Sequence, residues 1–388
     1  MTARVSLSPR RSVVVISDYV GHGHSTSGDC RPPPLYADEA APPTGAVPVA
    51  GSYLERLPLA LVAAGIAEQA EIWHFWRGEG PAPFHRENAV LGRRAFRRDG
   101  DAVSFESSAM EDFVRQFGAP HILIVYGLGV AHAVLELCSD SIIIYNSIDA
   151  PALRVPPECS AHFDIVLTGA QWQSDVVEAR HPGMATAILP VGPDFAGFDQ
   201  FRPLDTPKDV DLIYVAAAQP YKRHDILFDA LARLPRDVRA ICIFGYGEMA
   251  DDLRRRAADE NLSIEFVGPP GIGIEEVNRL MNRARFGVVC GVDDGAPAIL
   301  TEYMLAGLPV LANADLTCGL QYILPETGMT ATAQGFADAI LTLRATATHY
   351  DPRDIVLGRW TWPHSVARLS AIIAATMIQS NDIDKLVA

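Results

Sequence analysis

Three things are scarce in this sequence, and each absence closes off a class of function. Positive charge is the first. Lysine and arginine number 32 against 47 aspartates and glutamates, a formal net charge of −15. So acidic a chain is repelled by nucleic-acid phosphates and by an anionic membrane surface. Long apolar runs are the second, since none approaches the ~20 residues that span a bilayer. The basic start, MTARVSLSPRRSVVVIS, has too short an apolar run for a signal peptide and leads into a first strand. Paired cysteines are the third. Cys30, Cys138, Cys159, Cys242, Cys290 and Cys318 are scattered without C-x-x-C spacing. They read as reduced thiols of a cytoplasmic protein, not as metal ligands or a disulfide frame. No dinucleotide fingerprint follows a strand, and the Gly-rich GHGHSTSG lacks the Gly-Lys-Ser/Thr of a P-loop.

What is present is a strand–helix alternation, interrupted once. The 388 residues, 49% hydrophobic, suffice for two domains with a core each. Apolar runs predict strands over 13–17, 71–76, 121–126, 141–146, 164–168 and 187–191, with helices over 52–64, 110–117 and 130–137. Residues 192–210 are polar, aperiodic and carry Pro and Gly, and so read as a linker. The alternation then resumes. Strands are expected over 211–216, 239–244, 263–267, 286–290 and 308–312, helices over 224–233, 249–260, 274–283 and 298–306, and two closing helices over 335–344 and 365–378. Such alternation predicts α/β units with parallel sheets covered on both faces, and open sheets bind ligands beyond the C-terminal ends of their strands.

Several stretches carry chemistry. In 293–313, DDGAPAILTEYMLAGLPVLAN, a turn leads into an apolar helix, a glycine C-cap at Gly307 and a short strand. Asp294 and Glu302 stand eight apart. Amides near Ala296–Ala298 would point out of the helix start, where an anion is attracted, and Glu302 could accept from a sugar diol. An acid in a first helical turn can also do no more than complement the dipole. Lys222 follows a Pro-Tyr turn after a strand, a placement that suits phosphate binding or plain solvation. Gly21, His22, Gly23 and His24 leave the end of the first strand. The Gly- and Pro-rich stretch 21–51 is long enough for a lid. Asp149 ends a strand-like run, as either a cleft acid or an ordinary turn residue. In EIWHFWRG, alternation puts Trp73 and Phe75 on one face, a core role, and His74 and Trp76 on the other.

The 293–313 stretch resembles the acidic signature of retaining glycosyltransferases of the GT-B fold, family 4, in which two glutamates eight apart flank a Gly-rich turn. EYMLAGLPVLAN follows that pattern, with Asp294 at the first position and Glu302 at the second. YVAAAQPYKRHDILFDAL is similar to the family's diphosphate-binding segment, with Lys222 at its lysine and Ala217 where it has an arginine. AICIFGYGEMADDLRRRA, IEFVGPPG, FDIVLTGAQWQSDVV and AILPVGPDFAGFDQFRPL match further segments, so the resemblance covers roughly residues 140–330. The N-terminal third matches only in order, through Gly51 before the first helix and the strand ending YNSIDA.

The resemblance implies two Rossmann-like domains facing each other across a cleft. Residues 1–195 would bind the acceptor and 196–362 the nucleotide sugar, and 363–388 would form a helix crossing back to the first domain. It implies transfer of a sugar from a UDP- or GDP-linked donor to a small-molecule acceptor, with retention, no metal and no other cofactor. Lys222, Glu302 and Asp294 are then the catalytic set. Arg223, Gly247, Val267, Gly268, Gly295, Ala296, Pro297 and Ala298 join them around the donor, with Arg223 or a backbone group in place of the cation missing at Ala217. Gly21, His22, Gly23, His24, Gly51, Tyr126 and Asp149 line the acceptor side. Asp-x-Asp occurs at Asp99/Asp101, Asp209/Asp211 and Asp382/Asp384, none at a strand end where a metal-held donor would sit. A homodimer is allowed for, and nucleic acid and membrane are not expected partners. The same frame would serve a sugar-nucleotide epimerase or a phosphorylase-like enzyme. It would also serve a non-catalytic pseudo-transferase, which Ala217 and Asp294 favour.

Overall fold

The computed structural model describes residues 11–22, 47–79, 82–380 and 385. Among these residues, fourteen strands build two sheets. The first contains β1 (Ser12–Gly21), β2 (Gln69–Trp76), β3 (Phe84–Arg86), β4 (Leu91–Arg97), β5 (Ile122–Tyr126), β6 (Ile142–Asn146), β7 (Ile165–Thr168) and β8 (Ala185–Ile188), in the order β3-β4-β2-β1-β5-β6-β7-β8. The second contains β9 (Val210–Val215), β10 (Ala240–Ile243), β11 (Ile264–Val267), β12 (Ala284–Val289), β13 (Val310–Asn313) and β14 (Gly328–Ala331), in the order β11-β10-β9-β12-β13-β14. Every pairing is parallel except β3 with β4.

The chain divides into two compact units. One takes residues up to Leu189 and from Val366 on, and the other takes Pro190–Ser365. Each is a Rossmann-like parallel sheet. The second unit has the doubly wound order in which the first strand neighbours both the second and the fourth. In the first unit the same pattern runs β4-β2-β1-β5-β6-β7. The strands are buried on both faces, as β1 and β5 show: Val13, Val14, Val15, Ile16, Leu123, Ile124 and Val125 are all fully covered. Among the described residues no helix is long and apolar enough to cross a membrane.

Three features depart from the sequence reading. The expected linker, 192–210, starts inside a buried turn of helix, Val191–Asp194, and continues through buried Phe195, Ala196 and Phe201. Arg353 fixes it by donating to the carbonyls of Phe201 at 3.1 Å and Phe198 at 3.3 Å. The strand expected over 187–191 ends at Ile188. β3, β4, β14 and the helix Gln171–Arg180 were not foreseen. Of the stretch 21–51, residues 23–46 lie outside the described residues, and with them Gly23, His24 and the expected lid.

Candidate functional site

In the second unit, three loops leave the C-terminal ends of adjacent strands β10, β9 and β12 and enclose a cavity of about 310 Å³. This is the point where the winding of the sheet reverses, the standard location for a ligand in such sheets. From β9 come Val215, Ala216, Ala217, Tyr221 and Lys222. From β10 come Ile243, Gly245 and Tyr246. The loop and helix after β12 add Asp294, Ala296, Pro297, Ala298, Ile299 and Glu302.

Each polar group is held by a local device. After β9 the chain passes through the 3₁₀ turn Pro220–Lys222, and the Lys222 amide donates to the Gln219 carbonyl at 3.1 Å. The Lys222 carbonyl accepts from the hydroxyl of buried Tyr214. The Tyr221 carbonyl accepts from the Val292 amide at 3.2 Å, which ties this loop to the one after β12. Lys222 Nζ forms an ion pair with Asp294. Glu302 sits half-buried in the first turn of the helix Ile299–Leu305. That helix ends as the sequence predicts. Gly307 adopts φ 82°, its amide donates to Met304 at 2.9 Å and the Leu308 amide donates to Tyr303 at 2.9 Å, a Schellman closure. At its start the Leu300 amide donates to the Pro297 carbonyl at 3.2 Å and the Glu302 amide to the Ala298 carbonyl at 3.2 Å.

The sequence-predicted donor residues therefore separate into groups. Lys222, Asp294, Ala296, Pro297, Ala298 and Glu302 line one cavity. Gly295 is buried between two of them. Gly247 lies next to Tyr246 with φ 126°, and a Cβ there would overlap the carbonyl oxygen of Ala218, so its work is to let two loops touch. Val267 pairs with Ile243 at the end of β10, and the Gly268 carbonyl accepts from Arg254. Arg223 does not line the cavity. It pairs with Asp225 at 2.7 Å and borders a separate depression with Arg233 and Arg256.

Of the first-unit residues, Gly21 and Tyr126 close β1 and β5, the strands that flank the reversal point of their own sheet. Gly21 closes β1 and His22 follows it, exposed. Tyr126 closes β5, and its hydroxyl donates to the Tyr53 carbonyl at 3.0 Å in the turn that Gly51 opens with φ 101°. In that turn Glu55 accepts from the Ser52 amide at 2.7 Å. Burial pushes the Glu55 carboxyl up, but bonds from Ser52 and Arg93 outweigh it and hold the group below its ordinary value. Asp149 pairs with Arg154 at 2.9 Å. Sequence reasoning missed Asp18, whose carboxylate accepts the Leu128 amide at 3.1 Å beside Gly127. It also missed Tyr246, which is 61% exposed at the cavity rim. A further signal lay in composition, because Lys222 is one of only three lysines, with Lys208 and Lys385.

Among the described residues, no three His, Cys, Asp or Glu side chains come together as metal ligands. The described Asp-x-Asp acids are engaged elsewhere. Asp99 accepts from the Ser108 amide and Asp101 pairs with Arg77. Asp209 pairs with Arg283 at 3.0 Å, and Asp211 with Arg344 at 3.0 Å. Asp382 and Asp384 lie outside the described residues. The five described cysteines, Cys138, Cys159, Cys242, Cys290 and Cys318, are buried.

No curated protein matches the sequence. Solved structures match the fold over nearly the whole chain. Sucrose-phosphate synthase from Thermosynechococcus elongatus aligns with a TM-score of 0.66 at 16% identity, covering 95% of this chain and 100% of that one. Anabaena HepE in complex with UDP and glucose aligns at 0.64 and 12% identity, covering 94% and 100%. The lipopolysaccharide outer core galactosyltransferase WaaB aligns at 0.61 and 13%, covering 94% and 99%. The fold is the two-domain Rossmann-like fold of GT-B glycosyltransferase structures, and residues 209–346, which hold the whole cavity, match the family model for glycosyl transferases group 1.

Proposed function

We propose that this protein is a glycosyltransferase that moves a sugar from a UDP- or GDP-linked donor to a small-molecule acceptor, with retention and without a metal, in the cytoplasm. The observation that carries this is the convergence of Lys222, Asp294 and Glu302 in one cavity at the reversal point of the second sheet, inside the segment that matches glycosyl transferases group 1. Several of the similar structures were solved with UDP bound, among them Anabaena HepE with glucose also present and pneumococcal GtfA with GlcNAc. The chemistry of the cavity fits such a ligand. Lys222 offers a point charge to a diphosphate, and Glu302 can accept from a ribose diol. A lysine can stabilise the charge that grows on a leaving diphosphate, which is the task a metal performs elsewhere.

The test is turnover of UDP- and GDP-sugars with and without a panel of small acceptors, with the anomeric configuration of the product read by NMR. Acceptor-dependent consumption, retained configuration and indifference to a chelator are expected. Consumption without any acceptor would point to an epimerase-like enzyme. Binding without turnover would favour the second reading, a nucleotide-sugar-binding protein, which the alanine at position 217 supports. If none of these donors binds, the reading is wrong. Thermal shift gives the first answer, since a ligand at 100 times its Kd stabilises by about 2.7 kcal/mol.

A further inference from the structure

The cavity is short of positive charge. Among the described residues, its charged lining consists of one cation, Lys222, and two carboxylates, Asp294 and Glu302. The cation is already engaged. Lys222 is paired with Asp294, and the two side chains are only 18% and 12% exposed. The Lys222 ammonium also lies 4.8 Å from the centroid of the Tyr221 ring. Arg223, next in sequence, spends its charge on Asp225 through bonds of 2.9 and 2.7 Å and borders a different depression. Ala217 faces the cavity with a methyl group. An anion entering this site meets a carboxylate that already holds Lys222.

We infer that Asp294 competes with the ligand's anionic group for Lys222 and so holds down the affinity of the cavity for a nucleoside diphosphate. The inference rests on the nucleotide-sugar reading proposed above. The competition is unequal between donor and product. In a nucleotide sugar the diphosphate is esterified at both ends. Once the sugar has left, the terminal phosphate has one more ionisable oxygen, and the nucleotide is the more negative ligand. Asp294 therefore acts harder on the product than on the donor and favours its release. A site with a second cation at position 217 would instead hold the product more tightly.

The experiment is calorimetric titration of UDP and of GDP into the wild type, Asp294→Asn, Asp294→Ala and Lys222→Ala, at low and physiological salt, with thermal unfolding confirming each fold. Asp294→Asn keeps the shape of the side chain and removes its charge. It should bind the preferred nucleotide about tenfold more tightly, as expected when a like charge is removed from beside a bound anion. Its affinity should also fall more steeply with salt. Asp294→Ala should move in the same direction, which guards against a new bond made by the asparagine amide. Lys222→Ala should weaken binding. If Lys222→Ala weakens binding while neither Asp294 variant tightens it, the competition is disproved and the site reading survives. If Lys222→Ala binds as the wild type does, or if no variant binds either nucleotide, the site reading falls and the inference with it.

Discussion

The phenolic oxygen of Tyr303 accepts the backbone amide hydrogen of Val215 at 2.7 Å. One bond thus joins the helix that carries Glu302 to the end of the strand that leads to Lys222. Tyr303 is fully buried, and its ring packs so closely on Gly287 that a Cβ there would overlap it. Tyr303→Phe keeps this packing and leaves the Val215 amide without its acceptor. Stability should fall by about 1–3 kcal/mol, the cost of an unsatisfied buried group. Nucleotide affinity should fall as well, because the two halves of the cavity lose their register. Urea unfolding and calorimetric titration of the same variant measure both.

Glu302 and Lys222 should fail in different ways. A carboxylate that accepts from a ribose diol contributes charge-assisted bonds of about 1.5–3 kcal/mol in the ground state. Glu302→Gln should therefore raise the apparent donor Kd, by roughly tenfold or more. Charge on the leaving diphosphate grows in the transition state, so Lys222→Ala should lower kcat by a larger factor than it raises KM for the donor. Steady-state kinetics at saturating acceptor separates the two. Equal losses in kcat and KM for both variants would deny them distinct roles.

The pH dependence of stability should carry the mark of His224. This imidazole is 1% exposed, packs on Tyr214 and Phe244, and finds no hydrogen-bond partner for either ring nitrogen. Burial, helped by the nearby Lys222 charge, lowers its pKa from 6.5 to about 4. Between those values the unfolded chain binds a proton that the folded chain refuses, so stability falls as the pH falls through that window. The contribution is up to about 3 kcal/mol. His74 shows the same depression to about 4, from burial and from Arg93 and His85. His224→Phe should thus lessen the acid sensitivity between pH 6.5 and 4 without abolishing it. Urea midpoints at pH 7 and pH 4.5 test this, and an unchanged difference between them would refute it.

How much of this was legible in the sequence follows from charge and period. The strands of the second sheet are short apolar runs between helices of clear period, and all five expected there are present within a few residues. Gly307 could be read as a cap because a glycine after an apolar helical run has few other uses. The pairing of Lys222 with Asp294 was not legible, since they are 72 residues apart and meet only because β9 and β12 are neighbours. Nor was the diversion of Arg223 to Asp225, two residues along, because the sequence does not show that the chain takes a left-handed turn at Arg223, with φ 50°. The buried start of the 192–210 segment hid behind Gly and Pro, which signal loops whether or not the loop is packed. β4, LGRRAFR, was hidden by its arginines. A strand interior to a sheet is expected to be apolar, and nothing local announces that Arg94 will be neutralised from the next strand.

That neutralisation supports the last prediction. Arg94 is 1% exposed, and its guanidinium meets the Glu71 carboxylate through two bonds of 2.8 Å, a bidentate pair between β4 and β2. The Phe84 and Phe113 rings lie over it at 4.5 and 4.4 Å. Glu71 also accepts from Trp73 Nε1 at 2.8 Å. Desolvating both ions is expensive, and their attraction offsets that cost only while both are present. Glu71→Leu alone strands a buried guanidinium and should destabilise the first unit by about 3–5 kcal/mol. Arg94→Met alone strands the carboxylate, though Trp73 still donates to it, and should cost less. The double variant, Glu71→Leu with Arg94→Met, removes both charges and keeps the volume apolar, so it should recover most of the loss. Urea unfolding of the four proteins completes a double-mutant cycle. If the double variant is as unstable as the sum of the two single ones, the pair is not acting as a unit and the account of β4 fails.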